Sequence, residues 1–153
     1  MNNSLERPHN DPEKSAESYE TCDAIVPNTL EAPLIIRTRR GQLACGSDRG
    51  FNYKSVNEDR LVLNTTQDSF AVIDGMGHYG RGEEAAQIMA EELQQGMRAG
   101  LAFNFIQLDA HNRMKELSLE ENGACYTAAR LEGNNLITAG AGDVGLGVYD
   151  NSG

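Results

Sequence analysis

Ser69-Phe70-Ala71-Val72-Ile73-Asp74-Gly75-Met76-Gly77-His78-Tyr79-Gly80-Arg81-Gly82-Glu83-Glu84 decides how this chain is read. The apolar run Phe70-Ala71-Val72-Ile73 predicts a buried strand, Asp74 stands at its end, the glycines predict a tight loop, and a helix follows from about Gly82. Upstream lies a second acidic signal, Asn57-Glu58-Asp59-Arg60, just before the apolar run Leu61-Val62-Leu63. Carboxylates at the ends of two neighbouring strands would form a compact set of hard oxygen donors, the kind that suits Mg²⁺ or Mn²⁺.

The loop Gly75-Met76-Gly77-His78-Tyr79-Gly80 also fits the G-x-G-x-x-G pattern of dinucleotide sites. Three features oppose that alternative. Asp74 sits at the loop mouth, and Glu83 and Glu84 occupy the helix start, where a pyrophosphate needs positive potential. The acidic residue required about twenty positions further on is replaced by the helix end Gln94-Gln95-Gly96-Met97-Arg98.

The 153 residues suffice for one ordinary domain with a core, and the net charge of −10 argues against nucleic-acid or anionic-membrane partners. Acids are spread along the chain and build no single steering field. Cys22, Cys45 and Cys125 are far apart in sequence and lack C-x-x-C spacing, so Cys45 and Cys125 are expected as buried, reduced thiols. With no apolar run of membrane-spanning length and no leader pattern, a cytoplasmic setting is the default expectation.

Residues 1–33 are polar and acidic, hold Pro8, Pro12, Pro27 and Pro33, and show no hydrophobic period, so they are expected to be disordered. The folded part is expected over 34–153. Short strands are predicted at Leu34–Thr38, Leu43–Ser47, Leu61–Asn64 and Phe70–Ile73, the last two joined by the turn Thr65-Thr66-Gln67-Asp68. Ala85, Ile88, Met89, Leu93 and Met97 form one stripe, predicting a helix from Gly82 to Arg98 whose methionines fill the core. A second helix is predicted from Phe103 to Leu117, with Phe105, Leu108 and Leu117 among its apolar positions and His111 at its surface. The remainder reads as strands over 124–131 and 136–143, turning at Glu132-Gly133-Asn134-Asn135, then Val144–Tyr149 and a further turn signal at Asp150-Asn151-Ser152-Gly153. A last hairpin opened without its return strand is expected of the N-terminal portion of a larger domain, and its unpaired edge suggests self-association.

The set Gly46-Ser47-Asp48-Arg49-Gly50, Asn57-Glu58-Asp59, Phe70 to Gly77, Gly82-Glu83-Glu84-Ala85-Ala86 and Ala141-Gly142-Asp143 resembles the metal-dependent serine/threonine protein phosphatases of type 2C. It is most similar to their bacterial-type branch, and the resemblance runs from about Gly41 to Tyr149. It implies an α+β fold, a sandwich of two antiparallel sheets flanked by helices, present here as its N-terminal part. It also implies Mn²⁺ or Mg²⁺ as cofactor, two ions and in some members a third. Asp74 is implied as the bridging metal ligand and Gly75 as a ligand through its carbonyl. Glu58 and Asp59 are implied to contact metal or its waters, Asp74 and Asp59 being the catalytic pair, and Asp143 to serve the third ion. The implied activity is hydrolysis of phosphoserine or phosphothreonine in a phosphorylated protein, by water that the metals activate and without a covalent enzyme intermediate.

Departures from the family pattern are specific. Lys54 stands where the family carries a phosphate-gripping arginine, keeping the charge but losing the bidentate fork. His78 stands in an altered loop and is a candidate proton donor. Val144-Gly145 replaces the usual Ser-Arg after Asp143, and the family's two later aspartate ligands have no counterpart before Gly153. These departures motivate the alternative of a catalytically inactive phosphatase-like module that binds a phosphorylated partner. For Glu58, Asp59 or Asp74 alone, a solvated turn or loop cap would suffice as explanation; the ordered set points to a site.

Overall fold

The apolar segments on either side of the turn at 65–68 pair as a hairpin, β4 (Asp59–Asn64) with β5 (Ser69–Met76), and everything else is built outward from it. The computed structural model describes residues 21–26, 30, 32–48, 56–77, 80–119 and 121–149. Within them β1 (Asp23–Val26) pairs antiparallel with β4, β6 (Gly123–Glu132) with β5, and β7 (Asn135–Ala141) with β6. The result is a five-stranded sheet in the order β1-β4-β5-β6-β7; β2 (Leu34–Thr38) and β3 (Gly41–Cys45) form a separate two-stranded sheet. The fold is therefore α+β with two antiparallel sheets and two helices among the described residues. None of those helices is long and apolar enough to cross a membrane.

Strand parity decides the two faces of the large sheet. Ile25, Val62, Ala71, Ile73, Tyr126, Ala128, Ala139 and Ala141 share one parity and pack into a single core with the helices. Helix α1 (Gly82–Arg98) lays Ala85, Ala86, Ile88, Met89, Ala90, Leu93 and Met97 against them, the stripe expected from the sequence. Helix α2 (Phe103–Glu116) crosses α1 at Gly96, where a Cβ would come within 2.3 Å of Ile106 Cγ1, so only glycine lets the helices approach this closely. Its buried positions are Phe103, Ile106, Ala110 and Met114; Phe105, Leu108 and Leu117, read from the sequence as helical apolar positions, are exposed.

The other face carries Leu61 and Leu63, buried at 5 and 2 % exposure. The β2–β3 hairpin approaches this face: Arg40 pairs with Asp68 and donates to the Gly133 carbonyl, while Asn57 Nδ2 donates to Ser47 Oγ at the far end. A cavity of about 140 Å³ remains between the hairpin and the β4–β5 turn, lined in part by Leu43, Phe70 and Leu131. Val72 and Met76 on the same face stay exposed.

Three sequence expectations are corrected. Residues 23–26, inside the segment expected to be disordered, form edge strand β1; Ile25 packs on the core, and Asp23 binds Arg98 and Gln94 of α1. Tertiary contacts, not local propensity, make that strand. Residues 144–149 form no strand, although Thr127 Oγ1 donates to the Val144 carbonyl. Cys45 is half-buried, and partial burial followed by the nearby Cys22 pushes its thiol pKa up; Cys125 is buried as expected, and none of the three cysteines forms a disulfide.

The helices are also joined by charge. Arg113 of α2 bridges Glu91 at 2.7 Å and Glu92 at 3.0 Å on α1. A hydrogen bond from Gln87, and then Arg113, hold the Glu91 carboxyl below its ordinary pKa of 4.5. A lowered folded-state pKa gives stability that is present above the unfolded value and lost as pH falls through the folded one. Glu91→Gln should therefore flatten the decline of melting temperature below about pH 4.5 and leave its shape near neutrality unchanged. A pH series of thermal melts checks this.

Candidate metal centre

The register of the central hairpin brings the two acidic signals together. Asp59 and Asp74 are direct cross-strand partners on β4 and β5. The Gly75 N–H donates to the Glu58 carbonyl at 3.2 Å, which makes 58 and 75 a hydrogen-bonded pair and 59 with 74 the adjacent non-bonded pair. In such pairs the Cα atoms stand only about 4.5 Å apart and the side chains leave the same face. Asp74 is exposed and Asp59 half-buried. On its other side Asp74 faces Cys125 in register, so no basic residue flanks it across the sheet. No cation among the described residues pairs with its carboxylate.

Glycines shape the end of the hairpin. A Cβ at Gly75 would fall 2.2 Å from the Gly82 carbonyl oxygen and 2.7 Å from that of Glu58. At Gly77 it would meet the Gly82 nitrogen at 2.6 Å and Glu58 Oε1 at 3.2 Å, and at Gly82 the Gly75 carbonyl oxygen at 2.7 Å. The start of α1 thus rests directly on the end of β5. The Glu58 carboxylate lies beside Gly77, and any side chain at Gly82 would cover the Gly75 oxygen. These glycines serve backbone approach, not a nucleotide: β5 has antiparallel neighbours on both sides, whereas a dinucleotide site needs a parallel sheet.

The segment before β4 is held firmly. Asn57, 8 % exposed, accepts the Asp59 N–H on Oδ1 at 3.0 Å. Arg60, 2 % exposed, donates through Nη1 to the carbonyls of Asn57 at 2.9 Å and Asp59 at 2.8 Å. Its Nε reaches Gln87 Oε1 at 2.9 Å and its Nη2 reaches Glu83 Oε1 at 3.0 Å, both on α1. Sequence reading passed over Arg60 and Gln87. The signal was available: Arg60 shares the parity of Val62, so a charge sits where the strand should face the core.

The remaining predicted site residues are placed less closely. Gly142 packs on Cys125, the residue paired with Asp74, so the Gly142-Asp143 bend lies two strands from Asp74, about 10 Å by strand spacing. Asp143 itself is exposed at the same end of the sheet. Lys54 and His78 lie outside the described residues. Among those that are described, no group of three or more His, Cys, Asp or Glu side chains is close enough to hold a metal ion. The donors on hand are the cross-strand carboxylate pair Asp59 and Asp74. In chemistry that pair suits a hard cation such as Mg²⁺, which uses one or two carboxylates and keeps several waters. No family model matches the chain, and no curated protein or solved structure matches it.

Proposed function

We propose that this chain carries the metal-binding carboxylates of a type 2C-like, metal-dependent phosphatase that hydrolyses phosphoserine or phosphothreonine in proteins. The observation that carries the proposal is the direct pairing of Asp59 with Asp74, two carboxylates brought together on the face that holds no helix. Like charges directly opposite in a sheet repel, and a divalent cation between them removes that cost. Asp74 and Asp59 would bind the ion, Glu58 would orient its waters, and the Gly75 carbonyl would add a neutral oxygen. Bound there, Mn²⁺ or Mg²⁺ supplies Lewis acidity and lowers the pKa of a water toward neutrality. Lys54 would hold the substrate phosphate as a point charge, His78 would protonate the departing alkoxide, and Asp143 would serve a further, weaker ion.

A finer likeness to the type 2C sandwich rests on the same motifs and on the antiparallel order of strands around β5. The absence of a three-donor cluster among the described residues favours a second reading, a non-catalytic module that binds a phosphorylated partner. One experiment separates them. Mn²⁺-dependent hydrolysis of an aryl phosphate and of a phosphothreonine peptide should be measured for this chain and for Asp74→Asn. The enzymatic reading expects turnover that chelator abolishes and that falls at least about 100-fold in the variant, the scale of losing a principal electrostatic group. Phosphopeptide binding without turnover, indifferent to chelator, would support the module instead.

A further inference from the structure

The geometry points to Arg60 as a positioning residue for the carboxylate pair, an inference that rests on the metal-site reading above. Its guanidinium is buried between the sheet and α1, with only 3 % of the side chain exposed. A buried charge persists only where its donors are engaged, and arginine offers five in a rigid fork. Among the described residues Arg60 makes four bonds in two directions. Nη1 takes the carbonyls of Asn57 and Asp59, the residues on either side of Glu58; Nε and Nη2 take Gln87 and Glu83, one turn apart on α1. The fork therefore pins the backbone carrying Glu58 and Asp59 to the helix whose start rests on Gly75.

Strand parity sends the Arg60 and Asp59 side chains to opposite faces, so Arg60 does not touch an ion held by Asp59 and Asp74. It acts through the backbone. This makes the expected sign informative. By Coulomb attraction alone, removing a cation from beneath an acidic site should tighten binding of Mn²⁺. If Arg60 sets the spacing of Asp59 against Asp74, losing the fork should weaken it, by about 10- to 100-fold as for other groups that orient metal ligands.

The test is a Mn²⁺ titration of the full chain by calorimetry and by the electron paramagnetic resonance of free Mn²⁺, at a temperature where each variant is folded by circular dichroism. Arg60→Lys keeps the charge and loses the fork; Arg60→Met removes both. Gln87→Ala loosens one arm from outside the buried head and serves if either arginine variant fails to fold. Weaker Mn²⁺ binding in Arg60→Lys and Arg60→Met, with the same direction and a smaller amplitude in Gln87→Ala, supports the inference. Unchanged or tighter binding in the folded variants, beside a clear loss in Asp74→Asn, overturns it and leaves the metal site standing. Unchanged binding in Asp74→Asn removes the metal site itself, and the inference with it.

Discussion

Gly75→Ala is expected to destabilise the fold by about 3 kcal/mol or more, the upper end of what overpacking costs. The added Cβ meets backbone on both sides, the Gly82 oxygen at 2.2 Å and the Glu58 oxygen at 2.7 Å. No rotamer change relieves a clash with two main chains. Relief requires α1 to lift away from β5, and α1 carries much of the buried core. Against a total stability of about 5–15 kcal/mol for an ordinary domain, that loss would move the urea midpoint far down. Gly46→Ala is the control, because a Cβ there meets nothing within 4 Å. It should stay within about 0.5 kcal/mol of the parent protein. Equal urea midpoints for the two variants would show that α1 does not rest on β5.

How far this arrangement was legible in the sequence differs from element to element. Helix α1 was readable to its ends, because Ala85, Ile88, Met89, Leu93 and Met97 make one stripe with polar residues between them. Helix α2 was readable as a helix but not in its orientation. Apolar residues lie all around it, so periodicity could not tell the buried Phe103, Ile106 and Met114 from the exposed Phe105 and Leu108. The turn at 65–68 fixed the register of β4 on β5, and that register alone put Asp59 opposite Asp74. Strand β1 escaped notice because four residues in an acidic, proline-containing segment carry no period; it exists through its pairing with β4 and the grip of Asp23 on α1. The clamp at Arg60 was hidden for a related reason. A charged residue next to an acidic motif suggests solvent, and only parity shows that this one points inward.

Asp74→Asn should change stability in opposite directions with and without metal. In chelator, Asp59 and Asp74 stand directly opposite as a non-bonded pair with no described cation on Asp74. Repulsion between such a pair costs about 0.2–1 kcal/mol. The asparagine variant keeps the shape of the side chain and removes the repulsion, so it should melt above the parent protein at low ionic strength. Added salt should narrow the gap, since exposed charges are screened. With Mn²⁺ the order reverses. At a free concentration 100-fold above the dissociation constant, binding stabilises the parent by about 2.7 kcal/mol. If the substitution weakens binding about 100-fold, the same Mn²⁺ concentration stabilises the variant by only about 0.4 kcal/mol. The two melting curves should therefore cross as Mn²⁺ is titrated in. A solvated turn residue predicts no crossing, because Mn²⁺ would then shift both proteins alike or neither. A structural cap predicts a variant that melts lower under every condition. Only a carboxylate held against another carboxylate for the sake of a cation makes its removal favourable in the absence of the ion and costly in its presence.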